Sequence, residues 1–351
     1  MGSITANYQS ESPLHPAARA LLLDAFDRGW ADPSKTHQSS REANILLNEA
    51  KEVIAGHLDI RSDHLEFLAD PNLGYHLGIS GLLKPDSKLF YSAVDRSEVF
   101  AVASQSHGVK LSVALDGAIN YPRGHQGDVL SWQRANGETG IISKEPIDFQ
   151  GHIFVDATAS GEVLKLPERW SSALWSSKAW AGPAGIGIFA VREKSFWRNP
   201  LPHLDNKLTS SEISLPLIMA SAIALEAHAA EYAQKSEMVR NLNKGIRKFL
   251  ISEIPNVDIA GELNETLPHL LSFSLLYLDS QILVNELERR GFSVDSGSAC
   301  SAANIEPSHV LAAMGILTHG NIRINLHLDK DEASVNQFLI TLKELALQAR
   351  A

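Results

Sequence analysis

The sequence has little of what several common classes of protein need. One cysteine, Cys300, stands among 351 residues, so no disulfide bond can form within a chain. Lysine and arginine together number 31 against 41 aspartates and glutamates, and the resulting net charge of −10 disfavours a nucleic acid partner bound through its phosphates. The most apolar stretch, residues 214–230, contains Pro216, Glu226 and His228 and falls short of the ~20 apolar residues that cross a bilayer. We therefore expect no membrane span.

The remaining composition is that of a folded globular protein. Hydrophobic residues make up 44% of the chain and charged residues 21%, enough apolar surface to build a core. The first residues lack the basic and apolar pattern of a secretory signal, which together with the single cysteine predicts a cytoplasmic protein. The 14 histidines include no HExxH pattern, and we predict no metal site.

The order of apolar and helical segments predicts the fold class. After helical spacing at residues 17–28 and 39–58, short apolar runs alternate with helical segments, which is typical of β-α-β units on a mainly parallel sheet. Residues 214–251 read as one or two long helices that join two domains. The predicted units are an N-terminal segment, residues 1–30, that packs with the small domain; a large domain, residues 31–225; and a small α+β C-terminal domain, residues 226–351.

The single cysteine lies in the most distinctive segment, VDSGSACSAANIEPSHVLAAMG, residues 294–315. The pattern predicts a strand, a Ser/Gly-rich loop and a helix. Cys300 could be an inert buried thiol, a reactive nucleophile or one ligand of a metal site. The polar surroundings favour an accessible loop thiol over a core residue.

This segment, with GNIRINLHL downstream, resembles the active-cysteine loop and the substrate-binding strand of the cysteine desulfurases, pyridoxal phosphate enzymes of the class V aminotransferase family. The resemblance implies a fold-type I transferase, α/β, with a mainly parallel central sheet flanked by helices and a smaller α+β C-terminal domain. It also implies that residues 31–225 bind the cofactor. Cys300 would receive sulfur from L-cysteine as a persulfide, releasing L-alanine, and Arg323 would bind the substrate carboxylate.

Further landmarks of the family recur along the chain. In Phe154-Val155-Asp156-Ala157-Thr158, Asp156 resembles the carboxylate that pairs with the pyridine nitrogen, with a turn or helix-cap aspartate as the alternative. SSKAWAGPAGIGIFAV resembles the segment of the Schiff-base lysine, and here Lys178 would form the Schiff base from a position one residue out of register. The resemblance also implies cofactor contacts, which in this sequence would come from Asn136, Ser176, Ser177 and Ser214.

Several of the family's cofactor positions carry other residues here. Arg96 stands at the place of the ring-stacking histidine and, as a residue that can stack on a ring, is a predicted cofactor contact. Gly137 stands at the place of a second asparagine and Ala159 at that of a glutamine. In the phosphate loop, Asp70 adds a negative charge and Pro71 removes an amide donor, changes that oppose phosphate binding.

The sequence thus leaves three functions open. The first is a homodimeric, pyridoxal phosphate-dependent cysteine desulfurase that acts on a small amino acid and passes sulfur to an acceptor protein. The second is an aminotransferase or lyase of the same family with another amino acid substrate. The third is a homologue without the cofactor that serves as a binding or sulfur-relay protein.

Overall fold

A computed structural model describes residues 6–202, 213–297 and 307–349. Its α-helices are α1 (Pro16–Arg28), α2 (Gln38–Leu58), α3 (Leu73–Ser80), α4 (Ser97–Ser104), α5 (Leu215–Glu253), α6 (Ser280–Arg289), α7 (His309–Met314) and α8 (Glu332–Gln348). Its strands are β1 (Ala6–Asn7), β2 (Leu65–Leu68), β3 (Lys88–Ser92), β4 (His107–Leu111), β5 (Val129–Gln133), β6 (His152–Asp156), β7 (Ser172–Ser176), β8 (Gly187–Val191), β9 (Val257–Ile259), β10 (Leu270–Leu275), β11 (Phe292–Ser293) and β12 (Asn321–Asn325).

Local sequence sets several helix ends. The Asp279 carboxylate accepts hydrogen bonds from the amides of Gln281 and Ile282 at the start of α6, and Asp331 accepts from Ser334 at the start of α8. These side chains satisfy amides that have no partner within the helix. At the end of α2, Asp59 adopts a left-handed conformation that stops the helix.

The larger sheet has seven strands in the order β2-β8-β7-β6-β5-β3-β4. Strands β4, β3, β5, β6 and β7 run parallel, and β8 and β2 close one edge in antiparallel pairing. Residues of α3 and α4 pack on one face of this sheet, whereas residues of α2 and α5 pack on the other. The predicted α/β class with a mainly parallel sheet flanked by helices is therefore confirmed.

A smaller α+β unit follows. Strands β12, β10 and β9 form an antiparallel sheet, and its core includes residues of α6 and α8. The 39-residue helix α5 joins the two units, because Ile218 packs into the core of the large sheet and Ile246 into that of the small one. The stretch predicted as one or two helices is a single helix.

The N-terminal segment contacts both units. Strand β1 pairs in parallel with β11, and Tyr8 is fully buried in the small core. Ala18 of α1, however, packs into the core of the large sheet. The boundaries at residues 30 and 225 stay predictions.

Among residues 6–202, 213–297 and 307–349, none of the helices combines the length and apolar character that a bilayer crossing requires.

The close packing of α3 on the sheet gives a test of the fold. A Cβ on Gly78 would lie 2.4 Å from ring atoms of Phe154 in β6, so Gly78→Ala is expected to destabilise the protein by about 1–3 kcal/mol through overpacking. In α2, a Cβ on Gly56 would meet nothing within 4 Å, and Gly56→Ala should stabilise by about 0.5–1 kcal/mol through helix propensity. Thermal unfolding followed by circular dichroism measures both changes. Equal melting temperatures for the two variants would contradict this packing of α3.

Candidate functional site

The candidate site is built around Asp156, the last residue of β6. The register of β5 and β6 pairs it with Gln133, the last residue of β5, so the carboxyl ends of these parallel strands meet at one edge of the sheet. Ligands of open α/β sheets bind at this edge. The Asp156 side chain is 3% exposed, and a carboxylate this deeply buried requires hydrogen-bond donors.

Both oxygens of the Asp156 carboxylate have partners within the chain. Oδ1 accepts a 2.9 Å hydrogen bond from the Thr158 amide and a 2.6 Å bond from the Thr158 hydroxyl. Oδ2 accepts a 3.0 Å bond from the Tyr75 hydroxyl and lies 3.5 Å from Nε of Arg96. The alternative role of a turn aspartate is thus also fulfilled, because the bonds to Thr158 fix the turn after β6.

Tyr75 was not among the residues predicted from the sequence. This residue lies on α3, 81 positions before Asp156 in the chain, and its ring contacts Phe154 edge to face with centroids 5.8 Å apart. Burial, followed by the negative charge of Asp156, raises the pKa of Tyr75 well above its ordinary value, so the hydroxyl stays protonated as a donor. No local motif marks such a long-range partner.

Arg96 directs its guanidinium toward Asp156. The side chain is 41% exposed, but its Nε is buried and has no hydrogen-bond partner among the described residues. A Cβ added to Gly137 would lie 3.2 Å from Nη2 of Arg96 and 3.6 Å from Cβ of Ala159. Three of the positions at which the sequence departs from the family therefore lie side by side.

Asn136 is a hub of the loop after β5. Its amide nitrogen donates to the carbonyl of Val94 and to Oε1 of Gln133, at 3.2 and 2.9 Å. Its side-chain oxygen accepts from the amides of Glu138 and Thr139, each at 2.9 Å, and from the Thr139 hydroxyl at 3.2 Å. Its amide nitrogen and oxygen are thus already engaged within the chain.

The residues after β7 are spread over different environments. The Lys178 ammonium forms an ion pair with Glu11, and the lysine side chain is half exposed. Ser177 is fully buried, and its hydroxyl donates to that of Ser221 at 2.7 Å. Ser176 is partly exposed at the end of β7, and Ser214, partly exposed, immediately precedes α5 without capping it through its side chain. In the described part of the chain, no hydrogen bond or ion pair joins these four residues to Asp156, and their cofactor roles stay predictions.

The loop predicted to oppose phosphate binding uses its own amides. Oδ1 of Asp70 accepts a 2.9 Å bond from the Asn72 amide, and the carbonyl of Asp70 accepts from the Leu73 amide at 3.2 Å. The next amide, that of Gly74, donates to the carbonyl of Pro71. The amides of Asn72, Leu73 and Gly74 are therefore engaged within the loop.

Arg323 lies on β12 and pairs with Asp295. Nη2 is 3.5 Å from Oδ2 of Asp295, and the two backbones exchange hydrogen bonds of 2.8 and 3.0 Å. The Arg323 side chain is 14% exposed, and its Nε is buried without a hydrogen-bond partner among the described residues. Asp295 also accepts a 2.7 Å bond from the Ser10 amide. Cys300 lies outside the described residues.

Comparisons with known proteins agree with this fold. The sequence model described as "Aminotransferase class-V" matches residues 173–338. A cysteine desulfurase of Dictyoglomus turgidum is 25% identical over 374 residues, covering 98% of this chain and 94% of the relative, and a cysteine desulfurase of Trichormus azollae is 28% identical over 383 residues, covering 100% and 94%.

Solved structures share this fold. A NifS-like protein superposes with a TM-score of 0.84 at 20% identity, covering 98% of this chain and 99% of that one. A NifS-like protein from Rickettsia africae superposes with a TM-score of 0.82 at 17% identity, with the same coverage. The chain is thus similar to the class V aminotransferases over residues 173–338 and to cysteine desulfurases over nearly its whole length.

The hydrogen bond from Tyr75 to Asp156 can be tested by stability. Tyr75→Phe keeps the ring and removes the hydroxyl, and we expect a loss of about 1.5–3 kcal/mol, the range for a hydrogen bond to a charged group. Tyr277→Phe, at a side chain that is 83% exposed, is the matched control and should change the unfolding free energy little. Urea unfolding measures both variants, and equal effects would contradict the contact.

The buried carboxyl of Asp95, next to Arg96, should make the stability of the protein depend on pH. The residue is 2% exposed, and burial raises the pKa of its carboxyl to about 8, although the Ser92 amide donates to it. Because the folded-state pKa lies above the unfolded one, this group favours folding at pH 4 and loses that contribution as the pH rises toward 8. The melting temperature of Asp95→Asn should therefore rise relative to that of the wild type as the pH increases from 5 to 8. The exposed Asp116→Asn controls for charge removal, and parallel pH profiles of wild type and Asp95→Asn would refute the prediction.

Proposed function

We propose that this protein, which is similar to cysteine desulfurases, acts in sulfur transfer as a relay, with the thiol of Cys300 as the sulfur carrier and without pyridoxal phosphate as a resident cofactor. Relatives named cysteine desulfurases, aligned over nearly the whole chain, support the sulfur chemistry. The observation that carries the cofactor-free form is the contact between Arg96 and Asp156.

The Asp156 contacts do not fit a cofactor ring. In the family the corresponding carboxylate pairs with the pyridine nitrogen, but here Tyr75, Thr158 and Arg96 already supply donors and a positive charge to it. A pyridinium placed on Oδ2 would have to displace Arg96 or lie against its like charge. The chain's own guanidinium thus takes the electrostatic role of the ring nitrogen.

The neighbouring substitutions are consistent with this arrangement. Gly137 leaves the space that Nη2 of Arg96 approaches, and the short side chain of Ala159 borders the same space. An asparagine and a glutamine, the family's residues at these places, would project larger side chains toward the guanidinium. The three positions therefore form one compatible set.

The other anchoring points follow the same pattern. The Lys178 ammonium pairs with the Glu11 carboxylate, and no hydrogen bond or ion pair among the described residues joins it to Asp156. The Asp70 carboxylate accepts a hydrogen bond from an amide of the loop in which the family binds phosphate. The residues present do not fit pyridoxal phosphate, and we assign no step of the function to it.

Sulfur transfer at a thiol needs no such cofactor. The Cys300 thiolate would attack the outer sulfur of a donor persulfide; a new S–S bond forms at Cys300, the donor's S–S bond breaks, and the donor leaves as a thiolate. No net oxidation or reduction occurs. Arg323, with its buried Nε free of a hydrogen-bond partner among the described residues, is suited to binding a carboxylate of the donor.

A pyridoxal phosphate-dependent desulfurase is the second candidate, favoured by the names of the relatives and by the position of Asp156 at the end of β6. In that case Lys178 would hold the cofactor. Either function is compatible with a homodimer and a sulfur-acceptor protein, which remain expectations from the family. The exposed apolar side chains of Leu23, Trp30 and Ile45 are candidates for surface covered by a second copy.

The two candidate functions predict that different residues are modified by the reagents. Protein saturated with pyridoxal phosphate and reduced with borohydride should yield no pyridoxyl adduct on Lys178, and L-cysteine should give no alanine. Glutathione persulfide should make the peptide containing Cys300 heavier by one sulfur atom. Mass spectrometry of the peptides measures both outcomes.

Two variants serve as controls. Cys300→Ser should abolish the added sulfur, whereas Lys178→Arg should leave it unchanged. An adduct on Lys178 together with alanine formation that Lys178→Arg abolishes would reject the cofactor-free form and establish the second candidate. Loss of sulfur loading in Lys178→Arg alone would also count against the relay.

A further inference from the structure

A second cleft lies at the opposite edge of the large sheet. It has a volume of about 530 Å³, within the range of small-molecule sites. His152 begins β6, Ser171 immediately precedes β7, and Gly127 lies just before β5, so the cleft is at the amino ends of the parallel strands. It is therefore separate from the site around Asp156, at the carboxyl end of β6.

The cleft concentrates positive charge in a protein whose net charge is −10. Lys84, Arg169 and Arg192 line it, against a single lining carboxylate, that of Glu193. Within the described part of the chain, no carboxylate lies at ion-pair distance from these three cations. Elsewhere, cations such as Lys51 pair with a carboxylate, here Glu66 at 3.3 Å.

Two of these cations are oriented by the backbone. Nη1 of Arg169 donates to the carbonyl of Phe149 at 2.7 Å, and Nη1 of Arg192 donates to the carbonyl of Glu168. Each bond fixes one edge of a guanidinium and leaves further N–H groups for a ligand. Planar guanidinium groups bind phosphate oxygens in pairs, so the arrangement suits a phosphorylated ligand.

Aromatic side chains border the same cleft. The rings of His152 and Phe196 lie 5.4 Å apart between centroids, and Phe196 remains 51% exposed. Trp170 is partly buried and contacts His64 edge to face. An exposed phenyl ring and an indole beside cations offer a stacking surface for a flat ring.

We propose that this cleft binds a phosphorylated ligand with a planar aromatic ring, of the class of a nucleoside diphosphate. Lys84, Arg169 and Arg192 would bind the phosphates, and Phe196 or Trp170 would stack on the ring. The proposal is independent of the sulfur chemistry, because among the described residues no hydrogen bond, ion pair or ring contact joins these side chains to Asp156, Arg323 or Lys178.

Titration calorimetry of the full chain with ADP tests the site. ADP should bind, and inorganic phosphate and adenosine should each bind more weakly than ADP. Arg192→Ala and Arg169→Ala should each weaken ADP binding by about tenfold or more, as expected for the loss of a charge-assisted hydrogen bond. Phe196→Ala should weaken the binding of ADP and leave that of phosphate unchanged.

Lys343→Ala is the matched control, because it removes a positive charge far from the cleft. Lys343 lies in the small unit and pairs with Glu253 at 2.7 Å. It should leave ADP binding unchanged. Absence of ADP binding, or binding that neither arginine variant weakens, would overturn the proposal. Phosphate binding as tight as that of ADP would also overturn it, because the ring would then contribute nothing. Circular dichroism spectra matching the wild type would exclude misfolding as the cause of any loss.

Discussion

The buried carboxylate of Asp156 is the constraint on which the candidate site depends. An ionised carboxylate with so little exposure is costly unless donors and a positive charge surround it. Here Tyr75 lies on α3, Arg96 immediately precedes α4, and Thr158 lies in the turn after β6. One carboxylate therefore ties three segments to the edge of the sheet, and it does so with groups of the chain itself.

Charged side chains at the two edges of the large sheet have different kinds of partner. At the carboxyl edge the negative charge of Asp156 meets a guanidinium, and after β7 the ammonium of Lys178 meets Glu11. At the amino edge, Arg169 and Arg192 bind backbone carbonyls and have no carboxylate partner within the described residues. A site whose charges are satisfied internally has little to gain from a charged ligand, whereas oriented cations without counter-charges retain their affinity for anions.

The sequence predicted what depends on local pattern. Alternating apolar runs indicated the parallel sheet, and the position of Asp156 at a strand end followed from the residues around it. The contacts that decide its chemistry could not be predicted. Tyr75 reaches Asp156 across 81 residues, and Lys178 meets Glu11 across 167, distances along the chain at which only the folded topology determines which side chains meet.

Arg96 shows both what could be predicted from the sequence and what could not. Its place in the family pattern was clear from the sequence, and stacking on a ring was one use of an arginine there. That it turns toward Asp156 instead depends on the space left by Gly137 and Ala159, which lie 41 and 63 positions further along the chain. Substitutions that look independent in the sequence are neighbours in the structure.

The most direct test of the proposed cofactor-free site is a crystal structure of the protein grown with saturating pyridoxal phosphate. We expect Nε of Arg96 and the Tyr75 hydroxyl to stay on the Asp156 carboxylate, with no cofactor ring between them. A pyridine ring on Asp156, with Arg96 displaced and Lys178 withdrawn from Glu11, would contradict it.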